Sequence, residues 1–79
     1  MMTRLEFQNA AEDLFKVPRG SLKATDSRDT IEGWESFVDV DLLNLIESEF
    51  GIEAEAAIVE AETYGDLVKV LESKGAFRS

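Results

Sequence analysis

Gly33-Trp34-Glu35-Ser36-Phe37-Val38-Asp39-Val40-Asp41-Leu42-Leu43-Asn44-Leu45-Ile46-Glu47-Ser48-Glu49-Phe50-Gly51-Ile52 is the stretch from which the rest of this 79-residue chain can be read. Its Ser36-Phe37-Val38-Asp39 segment has the form of a capping box, with a hydroxyl to hold the helix start and an acid three residues on. Leu42, Leu43, Ile46 and Phe50 then recur at the spacing of one helix face, the stripe expected to be buried. Gly51 suits the left-handed position that ends a helix, and Ile52 supplies the apolar contact that accompanies it. Taken alone, Ser36 needs no role beyond starting the helix.

Working outward, Thr3-Arg4-Leu5-Glu6 is a second capping box. Phe7, Ala10, Ala11 and Leu14 behind it share a helix face, and Pro18 stops this first helix near residues 15–17. Residues 18–33 read as a long loop rich in turn formers, from Gly20 and Ser21 to Thr30 and Gly33, with Leu22 and Ile31 pinning it to the core. A loop this long in a small domain is more often functional than not. Beyond Ile52, residues 53–62 are rich in Ala and Glu, with Ile58 and Val59 the only large apolar residues, and predict a short third helix. Thr63-Tyr64-Gly65-Asp66 is a third capping box, opening a fourth helix with Leu67, Val68, Val70 and Leu71 inward and Gly75 at its end. The expected fold is all-α: a small four-helix bundle in one domain over 1–79, with a long loop between its first two helices.

Composition narrows the function. The chain carries 17 acidic and 8 basic residues, a formal net charge of −9. Such a field repels nucleic acid and anionic membrane and attracts proteins that present Lys/Arg patches. The chain has no cysteine and no histidine, so it lacks disulfides, thiolate ligands, a thiol nucleophile and the usual general base. We therefore expect no enzymatic activity of its own. Asp39-x-Asp41-x-x-Asn44-x-x-Glu47 offers many oxygens but lacks the central glycine and loop of an EF-hand, so no dedicated metal site is expected. No signal-peptide pattern precedes Ala11 and no run is long enough to span a bilayer, which predicts a cytoplasmic protein without stable membrane insertion, and a monomer is expected.

The combined spacing is more informative than any of its parts. Gly33-Trp34-Glu35-Ser36-Phe37, Val40-Asp41-Leu42-Leu43, Ile46-Glu47-x-Glu49-Phe50-Gly51-Ile52 and Thr63-Tyr64-Gly65-Asp66-Leu67-Val68 together resemble the acyl carrier protein family. The likeness covers nearly the whole chain and is densest from Gly33 to Ile52. It implies a bundle of acyl-carrier-protein type that is not itself an enzyme. By motif position Ser36 would receive 4′-phosphopantetheine from coenzyme A through a phosphopantetheinyl transferase. Acyl groups would then ride on the arm as thioesters, for fatty-acid or specialised lipid or polyketide synthesis. The other functions kept open are an aminoacyl carrier (D-alanyl or peptidyl) and an unmodified acidic interaction module of the same fold.

The resemblance also implies a partner surface, with ligases, synthases or acyl-transfer enzymes docking a basic patch on the second helix. The residues expected there are Glu35, Phe37, Val38, Asp39, Val40, Asp41, Glu47 and Glu49. That helix holds no Lys or Arg, so its carboxylates are expected to be uncompensated, and those near its C-terminal end oppose the helix dipole. Glu35 and Phe37 stand where the family usually has Asp and Leu, while Val38 and Asn44 replace a residue that is often acidic and one that is often apolar. These departures lean toward a specialised carrier. Trp34 is expected to pack on the core. Ser27 follows an acid, as Ser36 does, but has no amphipathic helix behind it and is rejected. Phe7, Leu42, Ile46, Phe50, Ile58 and Leu71 are the expected lining if the interior shelters an acyl chain.

Overall fold

A computed structural model of the chain describes residues 2–53 and 56–77. Its helices are α1 (Arg4–Phe15), α2 (Ser36–Phe50), α3 (Ala56–Val59) and α4 (Tyr64–Ser73), and the described residues contain no strand. Residues 54 and 55, inside the stretch read as the third helix, lie outside the described residues.

The first capping box forms in full. Thr3 Oγ1 accepts from the Glu6 N–H at 3.1 Å, and the Thr3 N–H donates to Glu6 Oε1 at 2.8 Å. Two otherwise free backbone donors are thereby satisfied. At the other end Lys16 turns left-handed (φ 60°), and the chain leaves for the loop. Thr63 caps α4 by accepting from the Asp66 N–H. Gly51 ends α2 in the left-handed conformation (φ 66°), as its position predicts.

One apolar core joins all four helices. Phe7, Phe15, Ile46, Leu67 and Leu71 are wholly enclosed, and Leu22, Ile31 and Trp34 enter from the loop. Trp34 stacks on Phe15 with ring centroids 4.7 Å apart, so it belongs to the core as expected. Val38, Leu42 and Ile46 are the buried face of α2, while Leu43 and Phe50 are half-buried against it. The buried stripe therefore starts one turn earlier than the sequence predicts. Among the described residues of α3 only Ile58 is buried, a contribution of about 1.5–3 kcal/mol.

The loop is ordered by hydrogen bonds at both of its ends. Near its start the buried Glu12 carboxylate takes, on Oε2, the Gly20 N–H at 2.8 Å and the Leu22 N–H at 3.0 Å. Gln8 Nε2 adds a third donor at 3.3 Å. Burial pushes the Glu12 pKa up, but these hydrogen bonds outweigh it and hold the carboxyl below its usual range. Farther along, Tyr64 N–H donates to the Asp26 carbonyl and Gly65 N–H to the Ala24 carbonyl, fastening the loop to the start of α4. Ser27 and Thr63 form an antiparallel bridge there.

No helix among the described residues is long and apolar enough to cross a membrane. Those residues also hold no group of three or more His, Cys, Asp or Glu side chains placed to bind a metal ion.

Candidate functional site

Ser36 lies on the first turn of the longest helix, and the register of that turn differs from the one its motif predicts. The N-cap is Glu35 (φ −108°, ψ 167°), whose side chain makes no capping bond. Its carbonyl accepts from the Val38 and Asp39 N–H groups at 2.9 and 3.2 Å. Ser36 is thus the first helical residue and not the cap. Its side chain is exposed and its hydroxyl has no hydrogen-bond partner among the described residues. The Ser36 and Phe37 backbone N–H groups are also without a partner there. Such free donors at a helix start face an anion favourably.

The physical cause lies in Asp39. A capping box would need this acid for the Ser36 backbone, but both of its oxygens are engaged elsewhere. Oδ1 accepts from Trp34 Nε1 at 3.1 Å, and Oδ2 pairs with Arg28 Nη1 at 2.8 Å. Arg28 also covers the Trp34 ring, 4.9 Å from its centroid, and donates from Nη2 to the Val59 carbonyl at 3.1 Å. Upstream, Gly33 passes so close to α1 that an added Cβ would sit 2.0 Å from the Phe15 carbonyl oxygen. The core therefore grips Trp34, Gly33 and Asp39 and leaves the serine between them unheld.

Around Ser36 the predicted surface is brought together in part. Phe37 and Val40 are 63 % and 57 % exposed, Glu35, Asp41 and Glu47 are exposed carboxylates, and Glu49 is half-buried. Val38 is a correction: it is 4 % exposed and lies in the core, because it stands one turn before Leu42 on the Leu42–Ile46 face. Asp39 is a second correction. It is neither uncompensated nor freely exposed, since the compensating cation comes from the loop and not from its own helix. Ser27 starts no helix of its own: it bridges to Thr63 at the start of α4, and its hydroxyl accepts from the Asp29 N–H.

Two groups escaped the sequence reading. Glu12 is enclosed completely, and the only signal for it was that a buried Leu22 needs an acceptor for its N–H. Arg28 had no signal, because nothing in its neighbours places it against a helix eleven residues on. The residues expected to line an acyl chamber pack on one another instead, with Phe7 and Phe50 rings 5.9 Å apart. Two open recesses of about 500 Å³ each are lined by other residues. One lies between Phe15, Ile31 and Glu35, the other between Ser27, Arg28 and Glu62.

No family model, no curated protein and no solved structure matches this chain.

Proposed function

We propose that this chain is an acyl carrier protein with Ser36 as the attachment residue for 4′-phosphopantetheine. The observation that carries the reading is the state of that serine: exposed, without a hydrogen bond, and released from a capping motif that could have occupied it. The free Ser36 and Phe37 N–H groups at the same turn suit a phosphate, so the residues present fit the group.

In the attachment step, Ser36 Oγ attacks the coenzyme A phosphorus that bears the pantetheine. The Oγ–P bond forms, the pyrophosphate P–O bond breaks and adenosine 3′,5′-bisphosphate leaves. The hydroxyl proton goes to a base of the phosphopantetheinyl transferase, since Asp39, three residues on, is held by Trp34 and Arg28. When bound, the group supplies a thiol on a flexible arm for an acyl thioester, chemistry that a chain without cysteine cannot otherwise offer. Phe37 and Val40 provide an apolar contact beside Ser36, and Glu35, Asp41, Glu47 and Glu49 an acidic surround for a partner's Lys and Arg. The cargo class that follows is an acyl group of fatty-acid, lipid or polyketide synthesis, with aminoacyl cargo as the alternative.

Intact-protein mass spectrometry tests this directly. Incubation with coenzyme A and a broad-specificity phosphopantetheinyl transferase should add one phosphopantetheinyl group, mapped to Ser36 and absent from Ser36→Ala. No addition with several transferases would instead favour an unmodified acidic interaction module built on the same helices.

A further inference from the structure

Arg28 is the only side chain described that bonds both α2 and α3. Its Nη1 holds Asp39 in the first turn of α2, its Nη2 holds the Val59 carbonyl at the end of α3, and its flat face lies on Trp34. The two bonds are unequal. The Asp39 contact is charge-assisted and partly shielded, with the Asp39 side chain 18 % exposed, whereas the Val59 contact is to a neutral carbonyl. α3 is four residues long, with Ile58 its one buried side chain among those described, and it packs on α4. Asp39 is the one charged group described that bonds this guanidinium.

We propose that Arg28 is a positioning residue that couples Asp39 to α3, so that a basic group which takes the Asp39 carboxylate also releases α3. Asp39 lies one turn from Ser36, on the helix where a carrier's partner would dock. A partner's Lys or Arg competing for Oδ2 removes the charge that anchors Arg28, and the bond to Val59 goes with it. α3, which Asp39 does not touch by any bond described, then loosens. The inference rests on the carrier reading only for the identity of that basic group. The coupling itself belongs to the unmodified chain.

Amide hydrogen exchange on the unmodified chain, with a double-mutant cycle, tests the coupling. The Glu60 N–H, which donates to the Ala56 carbonyl at 2.8 Å, reports on α3. The Gly51 N–H at the end of α2 and the Leu67 N–H in α4 serve as controls. Asp39→Asn is nearly isosteric, and its amide oxygen can still accept from Trp34. It should speed Glu60 exchange roughly fivefold, Arg28→Gln should do the same, and the double variant should go no further than the larger single effect. Arg28→Lys keeps the charge but lacks the fork that spans two acceptors, so it too should release Glu60 while leaving the controls unchanged. The proposal is overturned if Asp39→Asn leaves Glu60 exchange unchanged, if the two effects multiply, or if the controls rise by the same factor. Failure of Ser36 to accept the arm would defeat the carrier reading and leave this experiment intact.

Discussion

Three segments of the chain share one pattern, a hydroxyl residue followed three places later by an acid, and the molecule uses them in two ways. At α1 and α4 the Thr3 and Thr63 hydroxyls accept from the third residue on and close the helix start. At α2 the corresponding acid, Asp39, is taken by Trp34 and Arg28. The cap moves back to Glu35, and Ser36 is left with an unengaged hydroxyl. A capping motif is therefore a competition and not a fixed outcome: the acid goes to the best partners the fold brings near it. Here a buried indole and a cation from the loop win over the local backbone. The same competition leaves the exposed Ser36 side chain without a partner among the described residues.

The largest expected effect comes from the residue that brings the chain into this register. Gly33→Ala would put a methyl group 2.0 Å from the Phe15 carbonyl oxygen, backbone against backbone, so the loop or the end of α1 must move. We expect a loss of about 3 kcal/mol in urea unfolding, with a changed near-ultraviolet signal from Trp34. A variant of wild-type stability and spectrum would mean that the close approach does not set the start of α2.

Glu12 anchors the other end of the same loop. Glu12→Ala removes the acceptor of the Gly20 and Leu22 N–H groups and should cost about 2 kcal/mol. The pH dependence has a definite sign. The folded-state pKa lies below the ordinary value of 4.5, so the stabilisation is fully present above that value and fades as the pH falls through the folded one. The stability difference between wild type and Glu12→Gln should therefore shrink steadily below about pH 4.5. A difference that stays constant into acid would show that charge is not what Glu12 contributes. Tyr64, whose hydroxyl is also buried, has its pKa raised by burial and by the Glu12 charge, so it stays neutral throughout this range.

The sequence shows the helices well because their signals are local. Apolar spacing, Pro18, Gly51 and the Thr boxes each act within a turn or two of the residues that carry them, and α1, α2 and α4 lie where those signals put them. The pinning of the loop by Leu22 and Ile31 was legible for a related reason, since a lone aliphatic residue among turn formers has little else to do. What could not be read was the outcome of competition between distant groups. Arg28 reaches Asp39 and Val59 only after the loop has folded over α2, and nothing in the spacing of residues 26–39 announces it. Val38 was different, since it stands four residues before Leu42 and eight before Ile46 and so belongs to the stripe that the spacing already marks as buried.

The caps provide the intermediate effects. Thr3→Ala and Thr63→Ala each remove a hydroxyl that accepts from the backbone, and each should cost about 1 kcal/mol by thermal or urea unfolding. Thr3 should be no more sensitive than Thr63, because the reciprocal bond to Glu6 Oε1 comes from the Thr3 backbone N–H and survives in Thr3→Ala.

Ser36→Ala should then have the smallest effect on stability of the set, within about 0.5 kcal/mol of wild type, because the hydroxyl it removes holds nothing. Alanine is a better helix former than serine, so even a slight gain is consistent. The contrast with the two threonines is what matters, since all three substitutions delete a hydroxyl from the same sequence pattern. A loss near 1 kcal/mol would mean that Ser36 caps α2 in solution and that its hydroxyl is engaged before any transferase arrives. A neutral result, obtained alongside costly threonine variants, means that the fold gains no stability from a serine at the start of α2. A hydroxyl that contributes nothing to folding, in a chain without cysteine or histidine, is free to serve as an attachment point.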